Sequence, residues 1–204
     1  MTETSQAAAP SLLERLRVQT HASHTRLDRG VRLAPHEITV DRYAAFLRGS
    51  LAIVAPLEDV LASHEVLELA RARSAALRED LATLDLADDV ARSEVSFVND
   101  RAEAIGAAYV MEGSALGGQV LARHVATALR LEPTQKEEPT QEGLGYLRVH
   151  GETTGARWRS FLARLAAFDA GASESDRERA CVAASRTFAA YEDALGRAGA
   201  WSER

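Results

Sequence analysis

Residues 109–125 read YVMEGSALGGQVLARHV and place Gly113, Gly117 and Gly118, with Ser114, inside an otherwise regular helical period. Apolar and small residues continue that period on both sides, so the spacing predicts one long helix from about Ser96 to Leu131. Each interior glycine costs up to about 1 kcal/mol relative to alanine. Three amount to about 2–3 kcal/mol, a noticeable part of a typical domain stability. Gly113 and Gly117 are four apart, as are Ser114 and Gly118, so one helix face has almost no side chains. The plainer reading is close packing of a neighbouring helix against small residues. The sharper one is that something broad and flat lies against bare backbone, with the glycines letting the helix bend. Glu112 and Arg123 flank the motif and argue against its membrane version.

The rest of the chain supplies a helical frame for this stretch. At 204 residues, 46% hydrophobic and 26% charged, it reads as one domain whose core needs no staples. The apolar weight is carried by Ala, Leu and Val, and aromatics are only 5%. A flat ligand is therefore expected to be held by bare backbone, not by stacked rings. With 24 basic against 30 acidic residues the net charge is −6, which argues against a nucleic-acid binder. No apolar run approaches the length of a membrane span, and the first ten residues lack a basic n-region, so neither an anchor nor a secretory signal is expected. The single Cys181 makes no internal disulfide. These features point to a soluble, cytoplasmic protein, with residues 1–10 a disordered lead-in and 11–204 one helical domain.

Ser11 and Glu14 form a capping box that opens a first helix. Its stripe is Leu13, Leu16, Thr20, His24, Leu27 and Val31, spaced 3, 4, 4, 3 and 4. A second helix is expected from Thr39 or Asp41, kinked or broken at Pro56. Between Ser63 and Ala91 the chain reads as short helical pieces joined by turns. LEPTQKEEPTQEG, residues 131–143, is the clearest loop. A helix over about Arg157–Asp169 follows, and a last one opens at a second capping box, Ser175 to Glu178, carrying Cys181, Phe188, Tyr191 and Leu195. No β-branched alternation occurs, and the fold class read from the sequence is all-α.

His24 lies on the stripe of the first helix, with Thr20 one turn before it and Asp28 one turn after. The plainer reading is a core histidine satisfied by a neighbouring carbonyl. A neutral imidazole on an inward helix face is also a natural axial ligand for iron. Opposite a side-chain-free helix face it would leave room for a porphyrin plane and for dioxygen. The pair of features points to haem between the first helix and the glycine-bearing one. His36, His64, His124 and His150 are scattered, with no Glu-x-x-His pair at metal-ligand spacing.

LRVQTHASHTRLD, residues 16–28, resembles the proximal-helix pattern of the haem oxygenase family. YVMEGSALGGQVLARHV resembles that family's distal helix, especially the bacterial form, and RWRSFLARL after HGETTG is similar to a bacterial segment. The likeness runs from about Leu12 to Phe188. It implies a multi-helix fold with haem b sandwiched between a proximal and a kinked distal helix. Carried over, His24 is the axial iron ligand, Arg17 a basic residue near a propionate, and Thr20 part of the haem pocket. Gly113, Gly117 and Gly118 are the distal glycines, Ser114 stands where animal enzymes carry an aspartate, and Phe188 packs on haem. Arg157, Arg159 and Arg164 are further candidates for a propionate.

The resemblance implies oxidative cleavage of haem to biliverdin, carbon monoxide and ferrous iron. The other partners implied are O2 and an electron donor such as a ferredoxin or a flavin reductase, for a monomer or weak dimer. Asp28 would fix the second ring nitrogen of His24. Two alternatives stay open: a haem carrier or sensor without ring cleavage, and a haem-free helical relative of the thiaminase or metal-oxygenase kind.

Overall fold

The computed structural model describes residues 9–31, 33–66, 72–131 and 143–202. Among them are six α-helices: α1 (Leu12–Gly30), α2 (Val40–Ser63), α3 (Ala72–Thr83), α4 (Arg101–Leu129), α5 (Thr154–Gly171) and α6 (Glu174–Arg197). A 3-10 turn at Gly151–Thr153 leads into α5. The described residues form no strand, and one isolated antiparallel bridge joins Val31 to Trp201. The all-α reading therefore holds, and no described helix is long and apolar enough to cross a membrane. Residues 1–8 and 132–142 lie outside the described residues, and with them most of the expected lead-in and of the loop at 131–143.

Local signals account for most helix starts. At α1 the Ser11 hydroxyl accepts from the Glu14 N–H while Glu14 accepts from the Ser11 N–H, the expected capping box. Thr39 caps α2 and Asp100 caps α4, the latter accepting from the Glu103 N–H at 2.9 Å. The chain before Asp100 is a turn, so α4 begins five residues later than the period predicts. It ends on Arg130 at φ 55°, a left-handed cap. The last helix starts earlier than expected: Ser173 and Asp176 form its capping box, not Ser175 and Glu178. Among the described residues of 64–91 there is one helix, α3, followed by irregular chain.

Pro56 does not break α2, which is helical from Val40 to Ser63. Proline lacks the N–H that would bond the carbonyl four residues back. That carbonyl, of Ala52, instead accepts from the Ser93 N–H at 2.8 Å. A residue from the irregular chain after α3 thus replaces the missing helical bond.

α2 is buried nearly all round between Gly49 and Glu58, as befits a central helix. α6 packs against α4, α2 and α1. Two glycines allow this closeness. A Cβ on Gly106 of α4 would lie 2.0 Å from the Ala180 carbonyl oxygen, and one on Gly49 of α2 would lie 2.9 Å from Leu195 Cα. Asp169 at the end of α5 accepts from the Leu12 N–H at 2.8 Å and from Arg177 Nε at 2.6 Å, tying α5, α1 and α6 together. Along α1 and α6, Arg26 makes a two-pronged pair with Glu192 at 2.9 and 3.0 Å.

Asp80 of α3 holds the segment that follows α4. Its carboxylate accepts from the backbone N–H groups of Gly145 and Tyr146 at 2.7 and 2.8 Å. Burial pushes this carboxyl up to about 6 despite both hydrogen bonds, with Glu79 adding to the rise. The folded state therefore binds an extra proton between about pH 4 and pH 6. The stabilisation this gives is full below the unfolded value of 3.8 and is lost as pH climbs through 6. From pH 4 to pH 8 the unfolding free energy of the wild type should fall by about 2 kcal/mol relative to Asp80→Asn, allowing for partial solvent screening. Urea unfolding of both proteins across that range measures it, and parallel curves would count against the assignment.

Candidate functional site

A cavity of about 780 Å³ opens between α1, α4 and α6. That volume lies within the range of sites for cofactor-sized ligands. α1 contributes Thr20, His24, Leu27, Asp28 and Arg29, and α4 contributes Gly113, Ser114, Gly117 and Gly118. Phe188 of α6 and Trp158 of α5 close further sides. The stripe on α1 explains the placement: Leu16 and Thr20 are buried, with Leu12 buried in place of the half-buried Leu13, and His24, Leu27 and Val31 emerge into the cavity.

His24 is not a core histidine, since 64% of its side-chain surface is exposed. Its Nδ1 lies 3.0 Å from Asp28 Oδ2, one turn on. A proton on Nδ1, facing that carboxylate, would leave Nε2 as the ring's lone-pair donor. Phe188 meets the imidazole edge-on at 5.9 Å and 63°. Thr20, one turn before, is buried and donates its hydroxyl to the Leu16 carbonyl at 2.7 Å.

α4 runs helical through all three glycines. They serve two purposes. A Cβ on Gly117 would meet nothing within 4 Å, and one on Gly113 would only touch the Trp158 ring at 3.8 Å. Gly117 therefore faces open space, while Gly113 faces the Trp158 ring. A Cβ on Gly118 would sit 2.9 Å from the Leu147 carbonyl oxygen, so here the close-packing reading applies. Ser114 lines the cavity, and its hydroxyl donates to the Met111 carbonyl at 2.8 Å.

The expectation of a ring-poor pocket is overturned. Six of the eleven aromatic residues line the cavity: Phe46, Tyr109, Tyr146, Trp158, Phe188 and Tyr191. They lie far apart in sequence and converge only in the fold. Arg17 is exposed on α1 and does not line the cavity, nor do Arg157, Arg159 and Arg164. Arg164 donates to the Glu65 carbonyl at 2.8 Å, a structural role. Cys181 is half-buried on α6 and burial pushes its thiol up, which leaves it a poor nucleophile. The described residues contain no cluster of three or more metal-ligating side chains.

The sequence reading missed Arg73, Ser50 and Tyr146 in the cavity wall. Arg73 comes from an arginine-rich stretch, LARARSAALRED, that reads as a solvated helix face. Nothing in its spacing marks it as buried, yet it is 2% exposed.

The cavity of this all-α protein thus joins two imidazoles, His24 of α1 and His124 of α4, a sparsely covered helix face at Gly117 and an aromatic lining. The chain belongs to the haem oxygenase family, whose profile, described as heme oxygenase, matches residues 10–197. Family and fold make it a haem-degrading oxidoreductase. Among solved structures, the NO- and CO-bound heme oxygenase from Neisseria meningitidis is similar, at a TM-score of 0.74. The likeness covers 95% of this chain and 94% of that one, at 22% identity. No curated protein sequence matches the chain significantly.

Proposed function

We propose that this protein opens haem to biliverdin, carbon monoxide and ferrous iron, with His24 as the axial ligand of the iron. The observation that carries this is the His24–Asp28 contact inside the cavity. With Nδ1 engaged at 3.0 Å, Nε2 is left to bind iron, across from the open face at Gly117. Haem b is substrate and prosthetic group at once, supplying the iron that binds dioxygen and the ring that is cleaved. The chain's own residues hold and orient it. Asp28 fixes the imidazole, Phe188 buttresses its edge, and Gly117 gives space for the macrocycle. Arg29, exposed and on the cavity lining, offers a cation to a propionate in place of Arg17, and such an exposed arginine suits an acidic electron donor such as a ferredoxin. A reducing cytoplasm suits a chain with one cysteine.

Titration with hemin, then addition of a reductant in air, tests the reading. A Soret band that forms and gives way to biliverdin absorption is expected. The Ser114 hydroxyl, bonded to its own helix, favours one alternative, a haem carrier without ring cleavage. A stable Soret band under reductant would select it. No Soret band at all would overturn both.

A further inference from the structure

Residues 143–150 run as successive turns and form part of the cavity wall through Tyr146, Leu147 and Val149. The same segment backs the glycine stretch of α4, since the Leu147 carbonyl oxygen lies 2.9 Å from where a Cβ on Gly118 would stand. Belonging to no helix, the segment takes its position from contacts outside itself. Leu144 and Leu147 are buried in the core, and Tyr43 of α2 donates its hydroxyl to the Gly143 carbonyl at 2.5 Å. A two-pronged hold comes from Asp80 of α3. One carboxylate oxygen accepts from the Gly145 N–H at 2.7 Å and the other from the Tyr146 N–H at 2.8 Å. The fit is close, for a Cβ on Gly145 would stand 3.1 Å from Asp80 Oδ1.

This hold depends on charge. Hydrogen bonds to a carboxylate are roughly twice as strong as neutral ones, so a proton on either oxygen weakens the fork. The carboxyl lies where that change can occur, because burial pushes it up to about 6. The groups around it do not restore the charge. On α3, Glu79 adds to the rise, and Arg78 is paired with Asp88. The Tyr43 phenol of α2 and the Tyr146 phenol of the segment are both raised by burial and stay neutral. Arg148, the cation of the segment, bears on Tyr43.

We propose that Asp80 is a positioning residue for haem: its carboxylate fixes the backbone of Gly145 and Tyr146, and through them the wall that backs α4 behind the bound macrocycle. This rests on the binding of haem between α1 and α4. Asp80 does not line the cavity and touches no ligand; it acts through Leu147 and Gly118. Protonation of Asp80 loosens the seat, so haem is held less firmly as the solution turns acid.

Transfer of hemin from the loaded protein to apomyoglobin gives dissociation rates without turnover. At about pH 8, Asp80→Asn keeps the shape and one acceptor oxygen but should release hemin about 10-fold faster than the wild type, the loss expected for one charge-assisted hydrogen bond. Toward about pH 5 the two rates should converge, because the wild type then carries the same neutral clamp. Any acid release through the His24 imidazole is common to both proteins and cancels in the ratio. Stability runs the other way: relative to Asp80→Asn, the wild type loses folding stability as pH rises, yet should gain in hemin retention. A merely structural aspartate would move both in step. A rate ratio that stays constant across the range, or grows toward acid, overturns the proposal. Should Asp80→Asn not fold, Asp80→Ser, which also lacks the charge, takes its place under the same outcomes. Failure of the wild type to bind hemin overturns the haem-site reading and this proposal with it, whereas normal binding with a constant ratio overturns this one only.

Discussion

Hemin added to the His24→Ala variant is expected to give no histidine-type Soret spectrum and no biliverdin. Loss of a partner that merely orients a metal-binding histidine costs about 10–100-fold, and loss of the ligand itself should exceed that. The fold should survive. His24 is exposed, and its contacts are Asp28 one turn away and the edge of Phe188, so the change in stability should stay within about 0.5 kcal/mol. Imidazole supplied in solution should restore a low-spin haem spectrum, because the emptied position opens onto the cavity. Asp28→Asn should weaken hemin binding by about 10-fold, since the amide can still accept from Nδ1 but brings no charge. A His24→Ala variant with an unchanged haem spectrum would sink the ligand assignment.

How much of this was legible in the sequence depends on how local each cause is. The capping box at Ser11 and Glu14 sits within one turn, and it was readable. At the last helix the frame read from the sequence, Ser175 to Glu178, gives way to Ser173 to Asp176 two residues earlier. The choice between them is made outside the motif, where Arg177 reaches Asp169 at 2.6 Å. Pro56 carried a correct local warning, answered by Ser93 from well beyond α2. In the site, the histidine and the glycines announce themselves by oddity, an imidazole on an apolar stripe and costly residues inside a helix. Arg73 and the converging aromatics do not. An arginine among arginines and single rings spread from Phe46 to Tyr191 gain their meaning only when the helices assemble.

The glycines of α4 make the same point in energetic form, through two substitutions with opposite outcomes. Gly106→Val should fail as a fold: its Cβ would lie 2.0 Å from the Ala180 carbonyl oxygen, and backbone stands on both sides of that contact. α4 and α6 would have to part along a closely packed interface, at a cost of about 3 kcal/mol or more. Gly117→Leu should do the reverse. Its Cβ meets open space, and leucine replaces glycine inside a helix, so the haem-free protein should gain up to about 1 kcal/mol. The added side chain then stands on the face left bare for the macrocycle, and hemin affinity should fall by about 100-fold, or close to 3 kcal/mol. Thermal melts without hemin and hemin titrations separate the two. A Gly117→Leu protein that melts higher and still binds hemin normally would mean that the bare face serves something other than the ligand. One that melts lower would mean that α4 needs its glycine to bend.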